Sequence, residues 1–367
     1  MMAGEVTRID LTVDENDVIR GAGEVLKVIR PHWQSSSVRF KLFTDGITNK
    51  LVGCFNQNNN TNDDDDDDDN ADDDADTTSS DVVLIRVYGN KTDLLIDRKK
   101  ETDNIRLLHR YGYAPTLYAT FRNGLAYEYV PGVTLTPESC REESVWRLVA
   151  KRMAQMHKVC DDSTSASREP MLPGKIDQFL KLVPPVFSDP VKHSRISQIF
   201  PSTDVLRRDF EDLYERLCRL NSPTVFCHND LLLGNVIYCA ERERVTFIDY
   251  EYAAYNHQAF DIGNHFTEFA GIDEIDYDRY PSRDFQLQWL RVYLEEFSGE
   301  ECTDSDVQRL YVQVNQFALA SHLMWAVWAL IQAEHSTIEF DFIQFGETRY
   351  CEYLRRREQF LSLTYQN

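Results

Sequence analysis

The sequence lacks the patterns that would place it in several large classes of protein. Its eight cysteines form no C-x-x-C pair and have no matching histidine spacing, which argues against a disulfide scaffold and against a zinc site. Basic residues are scarce: 39 Lys and Arg stand against 61 Asp and Glu, giving a formal net charge of -22 at pH 7. Such a charge does not suit nucleic acid or anionic lipid as a partner. The scattered cysteines favour a reducing, intracellular compartment.

Signals for export and for membrane insertion are also missing. The N-terminal segment MMAGEVTRIDLTVDEND mixes charges into its apolar positions, so it cannot form the apolar core of a signal peptide. The longest apolar run, 317–333, contains Ser321, His322 and Gln332 and is short for a bilayer, which needs about 20 residues. We interpret this run as a buried helix. We therefore expect a cytoplasmic protein with no stable membrane insertion.

The length and the pattern of apolar residues indicate two lobes with an α+β architecture. The 367 residues exceed one average domain, and a hydrophobic content of 42% is enough for a real core. We predict a small β-rich lobe, residues 1–130, and a large, mainly helical lobe, residues 131–367. In the first lobe the periodicity predicts helices at 17–29 and 93–109 and about five strands, at 37–43, 50–55, 82–88, 116–120 and 125–130. In the second it predicts strands within 225–250, a loop-rich segment at 163–190, and helices at 142–160, 204–220, 285–297, 304–333 and 340–360.

An Asn/Asp-rich tract, residues 56–80, lies between two of the predicted strands. It holds eleven aspartates and no Lys or Arg, and so accounts for half of the net charge. With no apolar side chains to offset the entropy of ordering, we predict that it is disordered. We interpret it as a solvated spacer; a regulatory or cation-binding role is the alternative. Its length is tolerable because the entropy of loop closure grows only logarithmically.

The residues most informative about chemistry lie between 226 and 265. Asp230 follows a short predicted strand, Asn235 lies five residues later, and Asp249 follows the strand 245–248. Each alone is more often a turn residue, but together they place two carboxylates and an amide on one hairpin. Magnesium-assisted phosphoryl transfer needs such a set: one carboxylate accepts the proton of the attacking hydroxyl, and the other groups hold metal ions. We assign Asp230 as the base, with Asn235 and Asp249 as metal ligands.

The sequence resembles the choline/ethanolamine kinase family, which has a two-lobed, protein-kinase-like fold. The resemblance covers roughly residues 17–360 and rests on the motifs CHNDLLLGN, IDYEYAAYNHQAFDIGNHF and FALASHLMWAVWALIQA. It implies phosphoryl transfer from ATP, with Mg²⁺, to ethanolamine, the first step of the CDP-ethanolamine route to phosphatidylethanolamine. It gives Asp230, Asn235 and Asp249 the roles assigned above. It adds Glu251 and Glu268 as further acidic residues of the substrate site.

The resemblance places the ATP site in the small lobe. Arg86, on the strand VVLIRVY, stands where a protein kinase has its phosphate-contacting lysine, and the family has an arginine there. Glu101, on the following helix, is its expected partner. The turn TDGITNK would cover the phosphates, although it departs from G-x-G-x-x-G, and the interlobe linker would receive adenine. The residues expected in these two segments are Gly46, Thr48, Asn49, Glu128, Tyr129 and Val130.

An acceptor pocket is implied by aromatic residues near the C-terminus. Trp325 and Trp328 are three residues apart and share one helix face, and Phe345 starts the next predicted helix. In the family these positions wall the amine cation; a place in the core is the alternative. A primary ammonium needs acceptors for its three N–H groups, whereas a quaternary one needs an aromatic box. Phe345, with no hydroxyl, fits the smaller cation, as do the acidic residues Glu251, Glu268 and Asp273.

Two polar residues of the central motifs receive structural roles. We expect Asp261 to accept hydrogen bonds from backbone N–H groups near Asp230 rather than to bind a second metal, and His228 to be a scaffold residue. Other functions stay open: a choline kinase or dual-specificity kinase, an aminoglycoside phosphotransferase, or a silent scaffold whose acidic tract binds a basic partner. The sequence also leaves a homodimer open.

Overall fold

The computed structural model describes residues 6–43, 49–57, 82–89, 94–160, 168–272 and 274–365. The chain divides into two compact units. The smaller unit comprises Met1–Leu94 and Ala114–Pro131, and the larger comprises Leu95–Tyr113 and Gly132–Asn367. The helix that follows Leu94 belongs to the larger unit, and Pro131 belongs to the smaller one. The functional division into two lobes after residue 130 stays a prediction.

The smaller unit contains a six-stranded sheet and one α-helix within its described residues. Its elements are β1 (Thr7–Ile9), α1 (Val18–Ile29), β2 (Val38–Phe43), β3 (Asn49–Asn56), β4 (Val82–Tyr88), β5 (Leu117–Phe121) and β6 (Gly124–Glu128). The strand order is β1-β5-β6-β4-β3-β2; β1 pairs parallel with β5, and the other neighbours are antiparallel. The five predicted strands are confirmed to within about two residues at each end. The sixth, β1, was not predicted because three largely exposed residues give no clear alternation.

The core of this unit lies between α1 and the sheet. Asp17 caps α1, because its side chain accepts a hydrogen bond from Arg20 N, and the apolar face of α1 is buried. Strand β4 is buried along its whole length, as its sequence VVLIRVY, rich in β-branched and other apolar residues, predicts. The buried Arg86 is therefore a charged residue within an otherwise apolar strand.

The Asn/Asp-rich tract joins two strands that lie side by side. Phe55 on β3 is directly opposite Val82 on β4 in the antiparallel register. The prediction of a disordered tract from residue 56 was wrong at its start, because Asn56 is the last residue of β3 and Gln57 is described too. The rest of the tract, residues 58–80, lies outside the described residues. The last residues of β3 and the first residues of β4 are therefore neighbours in the sheet.

The larger unit is mainly helical. Its described helices are α2 (Arg98–Arg110), α3 (Glu143–His157), α4 (Met171–Leu182), α5 (Pro190–Ile199), α6 (Thr203–Cys218), α7 (Gln258–Thr267), α8 (Arg283–Ser298), α9 (Asp304–His335) and α10 (Phe342–Leu361). Its described strands are β7 (Val133–Thr134), β8 (Thr224–Cys227), β9 (Val236–Cys239), β10 (Arg244–Phe247) and β11 (Ala254–His257). They form two small antiparallel sheets, β10-β9-β7 and β11-β8.

Helix α9 forms the centre of this unit. It packs against α10, α7, α8, α4 and α6. A capping box fixes its start, in which Thr303 and Asp306 satisfy each other's backbone N–H groups. It is the one helix of the described residues long and apolar enough to cross a bilayer, and that apolar stretch is entirely buried inside the protein. The prediction of a buried helix is confirmed.

The prediction of a loop-rich segment at 163–190 was wrong for the part that forms α4. The segment contains several prolines, which disfavour a helix interior, but Pro173 is the third residue of the helix. The first N–H groups of a helix have no intrahelical partner, so a proline there removes no hydrogen bond. Helix α5 also begins with a proline, Pro190, after the capping residue Asp189.

Candidate active site

The central motif folds into a loop between two strands, which we call the Asp230 loop (residues 228–235). It begins directly after β8 and ends in a short helical turn before β9. Strands β9 and β10 pair with Phe247 opposite Val236, and the N–H of Ile248 donates to the carbonyl oxygen of Asn235 at 3.0 Å. This pairing holds Asn235 next to the segment that carries Asp249. The Asn235 side-chain amide donates to the carbonyl oxygen of Asp230 at 2.9 Å, so its own oxygen is left to accept or to bind a cation.

A buried carboxylate on α7 fixes the start of the Asp230 loop. Asp261 is fully buried and accepts hydrogen bonds from the backbone N–H groups of His228, at 2.8 Å, and Asn229, at 2.6 Å. His157 Nε2 lies 2.9 Å from the same carboxylate. Burial opposes the charge of Asp261, but the hydrogen bond and charge of His157, with smaller contributions from His228, leave its pKa below the ordinary value. The structural role predicted for Asp261 is confirmed.

His228 is also a scaffold residue, as predicted. Its Nε2 lies 2.9 Å from the carbonyl oxygen of Ile248, which ties the Asp230 loop to the residue before Asp249. Burial lowers the pKa of this histidine, so the neutral ring is favoured at neutral pH. A neutral, fully buried imidazole committed to a carbonyl group does not compete with Asp230 as the base.

Two backbone positions of the site lie in the left-handed region. Asn229 has φ of 67° and Asp249 has φ of 61°, values that non-glycine residues seldom adopt, although Asn and Asp tolerate them best. The Asn229 amide donates to the carbonyl oxygens of Tyr252 and Ala254, and its own oxygen accepts from the Asn256 amide. These buried hydrogen bonds hold the unusual turn immediately before Asp230.

The Asp230 carboxyl group lies among other negatively charged side chains. The surrounding protein desolvates it, and the charge of Asp249 lies close by; both raise its pKa well above the ordinary value. Glu251 and Glu268 act in the same direction, whereas Arg349 acts in the opposite one. A carboxylate with a raised pKa is a stronger base than an exposed aspartate, which suits the role assigned from the sequence.

Three carboxylates of the larger unit could hold a metal ion. Oxygen atoms of Glu101, Asp249 and Glu251 lie within 4.8 Å of one another. Arg98 bridges two of them, donating to Glu101 at 3.1 Å and to Glu251 at 3.2 Å. All candidate ligands, with the free amide oxygen of Asn235, are oxygens, which is the donor set that Mg²⁺ prefers. The residues therefore fit a hard divalent cation. The sequence placed Glu101 beside Arg86 and Glu251 in the substrate site, and did not predict that both carboxylates lie next to Asp249.

Four aromatic residues, Tyr252, Trp325, Trp328 and Phe345, form what we call the aromatic cluster. The ring of Tyr252 lies 5.3 Å from Trp325, Trp325 lies 5.6 Å from Trp328, and Trp328 lies 6.1 Å from Phe345. Trp328 Nε1 donates to the hydroxyl oxygen of Tyr252 at 3.0 Å, and Trp325 Nε1 donates to Asn264 at 2.7 Å. Edge-to-face contacts and satisfied indole N–H groups fix these rings. Tyr252 was missed by the sequence reasoning, although it lies in IDYEY.

Glu268 lies beside this cluster in an ion pair. Its Oε1 accepts from Arg349 Nη2 at 2.5 Å, and both side chains are about 95% buried or more. Within the described residues Glu268 Oε2 accepts no hydrogen bond, so this oxygen can serve a further donor. Because Glu268 and Arg349 also act on the pKa of Asp230, the pair connects the aromatic cluster with the candidate base. Arg349 too was missed by the sequence reasoning.

The residues predicted to bind ATP are less fully described. Gly46 and Thr48, like Asp273, lie outside the described residues. Asn49 begins β3 opposite Tyr88, and Arg86 lies buried on β4. Glu128 is the last residue of β6, and Tyr129 and Val130 follow it directly. The Glu128 carboxylate accepts hydrogen bonds from the backbone N–H and the hydroxyl group of Thr116. Their nucleotide contacts, and the pairing of Arg86 with Glu101, stay predictions.

Replacing Asp261 with asparagine should destabilise the protein by about 2–3 kcal/mol at pH 7, because an amide cannot accept from both backbone N–H groups. The folded-state pKa of Asp261 is lowered, so its contribution is present above the unfolded pKa, near 4, and is lost as pH falls through the folded value. Urea unfolding at pH 7 and at successively lower pH measures the difference. Asp103→Asn, at a 57% exposed position on α2, is the control. Equal stability of Asp261→Asn and wild type at pH 7 would contradict this account.

Comparison with known proteins gives a consistent result. A family model described as choline/ethanolamine kinase matches residues 40–354. The ethanolamine kinase of Drosophila melanogaster is 52% identical, over 97% of this chain and 80% of that protein. Ethanolamine kinase 2 of Homo sapiens is 46% identical, over 97% of this chain and 86% of that protein.

Solved structures give the same result for the fold. A Plasmodium vivax ethanolamine kinase aligns with a TM-score of 0.76 at 26% identity, over 93% of this chain and 89% of that chain. A Cryptosporidium parvum choline kinase aligns with a TM-score of 0.73 at 24% identity, over 93% and 96% of the two chains. The predicted protein-kinase-like fold is confirmed.

Proposed function

The chain belongs to the choline/ethanolamine kinase family, and we propose that it transfers the γ-phosphoryl group of ATP to the hydroxyl group of ethanolamine. The observation that carries the proposal is the arrangement of Asp230, Asn235 and Asp249 around the Asp230 loop, with the charges of Glu268 and Arg349 acting on the pKa of the Asp230 carboxyl group. Identity of 46–52% to ethanolamine kinases supports ethanolamine as the acceptor. The product, phosphoethanolamine, serves phospholipid synthesis through the CDP-ethanolamine route.

Asp230 carries out the proton transfer in this mechanism. The ethanolamine oxygen attacks the γ-phosphorus in line, its proton passes to the Asp230 carboxylate, and the bond from the γ-phosphorus to the bridging oxygen breaks to release ADP. The raised pKa of Asp230 improves its match to a hydroxyl proton. Asp261 and Asn229 act through the backbone, because they hold the loop that aims the carboxylate.

Mg²⁺ is the metal that we propose for the oxygen ligands at Asn235, Asp249 and Glu251. When bound, the ion neutralises negative charge on the phosphate oxygens. We further propose that the nucleotide is held by Arg86 together with the turn TDGITNK and residues 128–130. An always-charged guanidinium suits diffuse phosphate oxygens. The intact set of base and metal ligands argues against a catalytically silent scaffold.

The ammonium group of ethanolamine is held by acceptors and aromatic rings. Glu268 Oε2 accepts no hydrogen bond within the described residues, and a primary ammonium has three N–H donors. The rings of Trp325 and Trp328 supply an electron-rich wall on the other side.

A cytoplasmic location and the absence of stable membrane insertion remain predictions supported by the family, and a homodimer remains open.

The reaction is tested by identifying its products. Purified protein with Mg-ATP and ethanolamine is expected to form ADP and O-phosphoethanolamine in equal amounts, measured by phosphorus NMR and mass spectrometry. The chemical shift distinguishes a phosphate ester from phosphorylation at nitrogen. ADP without phosphoethanolamine, or a product phosphorylated at nitrogen, would contradict the proposal.

Deleting residues 58–79 should leave kcat and KM for ethanolamine within about twofold of wild type. The deletion joins β3 and β4 across a pair that is already in register at Phe55 and Val82, so a short turn can replace the tract. Steady-state kinetics and thermal unfolding of the deletion protein provide the test. Loss of most of the activity in a stably folded deletion protein would show that the tract is more than a spacer.

A further inference from the structure

Two rings of the aromatic cluster each lie next to a cationic side chain of the protein itself. Lys175 Nζ lies 5.5 Å from the centre of the Tyr252 ring. Arg349 Cζ lies 5.2 Å from the centre of the Phe345 ring. Both distances are within the range of about 6 Å at which a cation is attracted to a ring. Trp325 and Trp328 have no such cation among the described residues.

Lys175 is held in this position by hydrogen bonds. Its ammonium group, on α4, donates to the carbonyl oxygen of Leu95 at 2.9 Å and to the Gln178 side chain at 3.3 Å, and it also lies 5.4 Å from the Phe179 ring. Burial lowers its pKa to about 8, so the charged form still predominates at pH 7. The cation beside Tyr252 is therefore a fixed feature of the larger unit.

Arg349 is held even more firmly. Its guanidinium donates to Glu268 at 2.5 Å and to Thr267 Oγ1 at 3.1 Å, and the side chain is 3% exposed. The Glu268 carboxylate compensates the charge of Arg349, so this guanidinium acts on the Phe345 ring as one half of an ion pair, whereas Lys175 has no carboxylate partner among its hydrogen bonds in the described structure.

A resident cation changes what the neighbouring ring can bind. A ring whose electron-rich face already attracts a protein cation has less attraction left for a substrate cation. Ethanolamine and choline carry the same charge, so simple repulsion by Lys175 or Arg349 affects them alike. Only the primary ammonium of ethanolamine can replace the lost attraction with N–H hydrogen bonds to carboxylate oxygens.

We propose that Lys175 is a specificity-determining residue whose ammonium group occupies the Tyr252 ring and thereby weakens the hold of the aromatic cluster on a quaternary ammonium. The carboxylate acceptors nearby then favour a primary ammonium. This inference rests on the proposed function, since it names a residue that selects ethanolamine over choline.

The test uses Lys175→Met, which removes the charge and keeps most of the stem. The ratio of kcat/KM for choline to that for ethanolamine is expected to rise about 3- to 30-fold, mainly through a lower KM for choline, as expected for one recovered cation–ring contact. Lys175→Arg keeps the charge and should keep the wild-type ratio. Lys192→Met is the matched control, because Lys192 also donates to a backbone carbonyl oxygen, that of Ala333 at 2.8 Å, and does not contact the aromatic cluster in the described structure.

A binding measurement separates this inference from the proposed function. Calorimetry with tetramethylammonium and methylammonium, without ATP, should show tighter tetramethylammonium binding to Lys175→Met than to wild type, with no such gain for Lys192→Met. The inference would be overturned if a folded Lys175→Met protein kept the wild-type choline-to-ethanolamine ratio of kcat/KM and the wild-type ratio of tetramethylammonium to methylammonium affinity. Absence of turnover in wild type, with the expected change in affinity, would refute the proposed reaction and leave the selectivity account standing.

Discussion

Replacing Asp230 with asparagine is expected to lower kcat for ethanolamine about 100- to 10,000-fold, the range that a positioned general base contributes. The amide keeps the shape of the side chain but cannot accept the hydroxyl proton. KM for ATP should change little, since the proposed nucleotide contacts lie elsewhere. Steady-state kinetics with a coupled ADP assay measures both constants.

The same substitution should not weaken the fold. Desolvation and the charge of Asp249 raise the folded-state pKa of Asp230, so ionised Asp230 destabilises the folded protein at pH values above its unfolded pKa. Asp230→Asn is therefore expected to unfold at the same temperature as wild type or a higher one. Asp103→Asn serves as the exposed control. A variant that keeps half of the activity, or one that loses activity because it unfolds, would contradict the assignment of Asp230 as the base.

Replacing Asp249 with asparagine is expected to lower kcat by roughly 100-fold or more, which corresponds to about 2.7 kcal/mol or more of lost charge stabilisation at the metal site. Asparagine tolerates the φ of 61° at this position, so the backbone need not change. The Mg²⁺ concentration that gives half-maximal activity should rise as well, because one carboxylate ligand has become an amide.

Direct metal binding separates this effect from a defect in chemistry. Electron paramagnetic resonance with Mn²⁺ should show weaker binding to Asp249→Asn than to wild type, whereas Asp230→Asn should bind Mn²⁺ at least as tightly as Asp249→Asn does. Wild-type Mn²⁺ affinity in Asp249→Asn would refute its role as a ligand.

Local patterns were enough to predict most elements and the residues of the Asp230 loop. Strand β4 is a short apolar run rich in β-branched residues, and α1 has a capping aspartate and one apolar face, so local sequence identifies both. Helix α4 was missed because its segment contains several prolines, which break helices at most positions, and only the structure shows that Pro173 lies in the first turn. Lys175, which lies on α4, was therefore not identified from the sequence either.

Contacts between residues distant in the chain could not be predicted in the same way. Arg349 and Glu268 are 81 positions apart, and Trp328 and Tyr252 are 76 apart. Nothing in the local sequence of α10 shows that a guanidinium is buried beside Phe345, because helix periodicity predicts which face is inside but not which partner meets it. The chemistry of the Asp230 loop is local in sequence, whereas the selectivity of the acceptor site depends on tertiary packing.

The most direct test of the account is phosphoryl transfer from Mg-ATP to ethanolamine and to choline, measured side by side with Asp230→Asn protein as the blank. We expect a kcat/KM for ethanolamine at least about tenfold above that for choline, a difference of about 1.4 kcal/mol, and no turnover above background in the blank. Comparable values for the two amines would instead indicate a dual-specificity kinase. Absence of turnover with both would contradict the central claim.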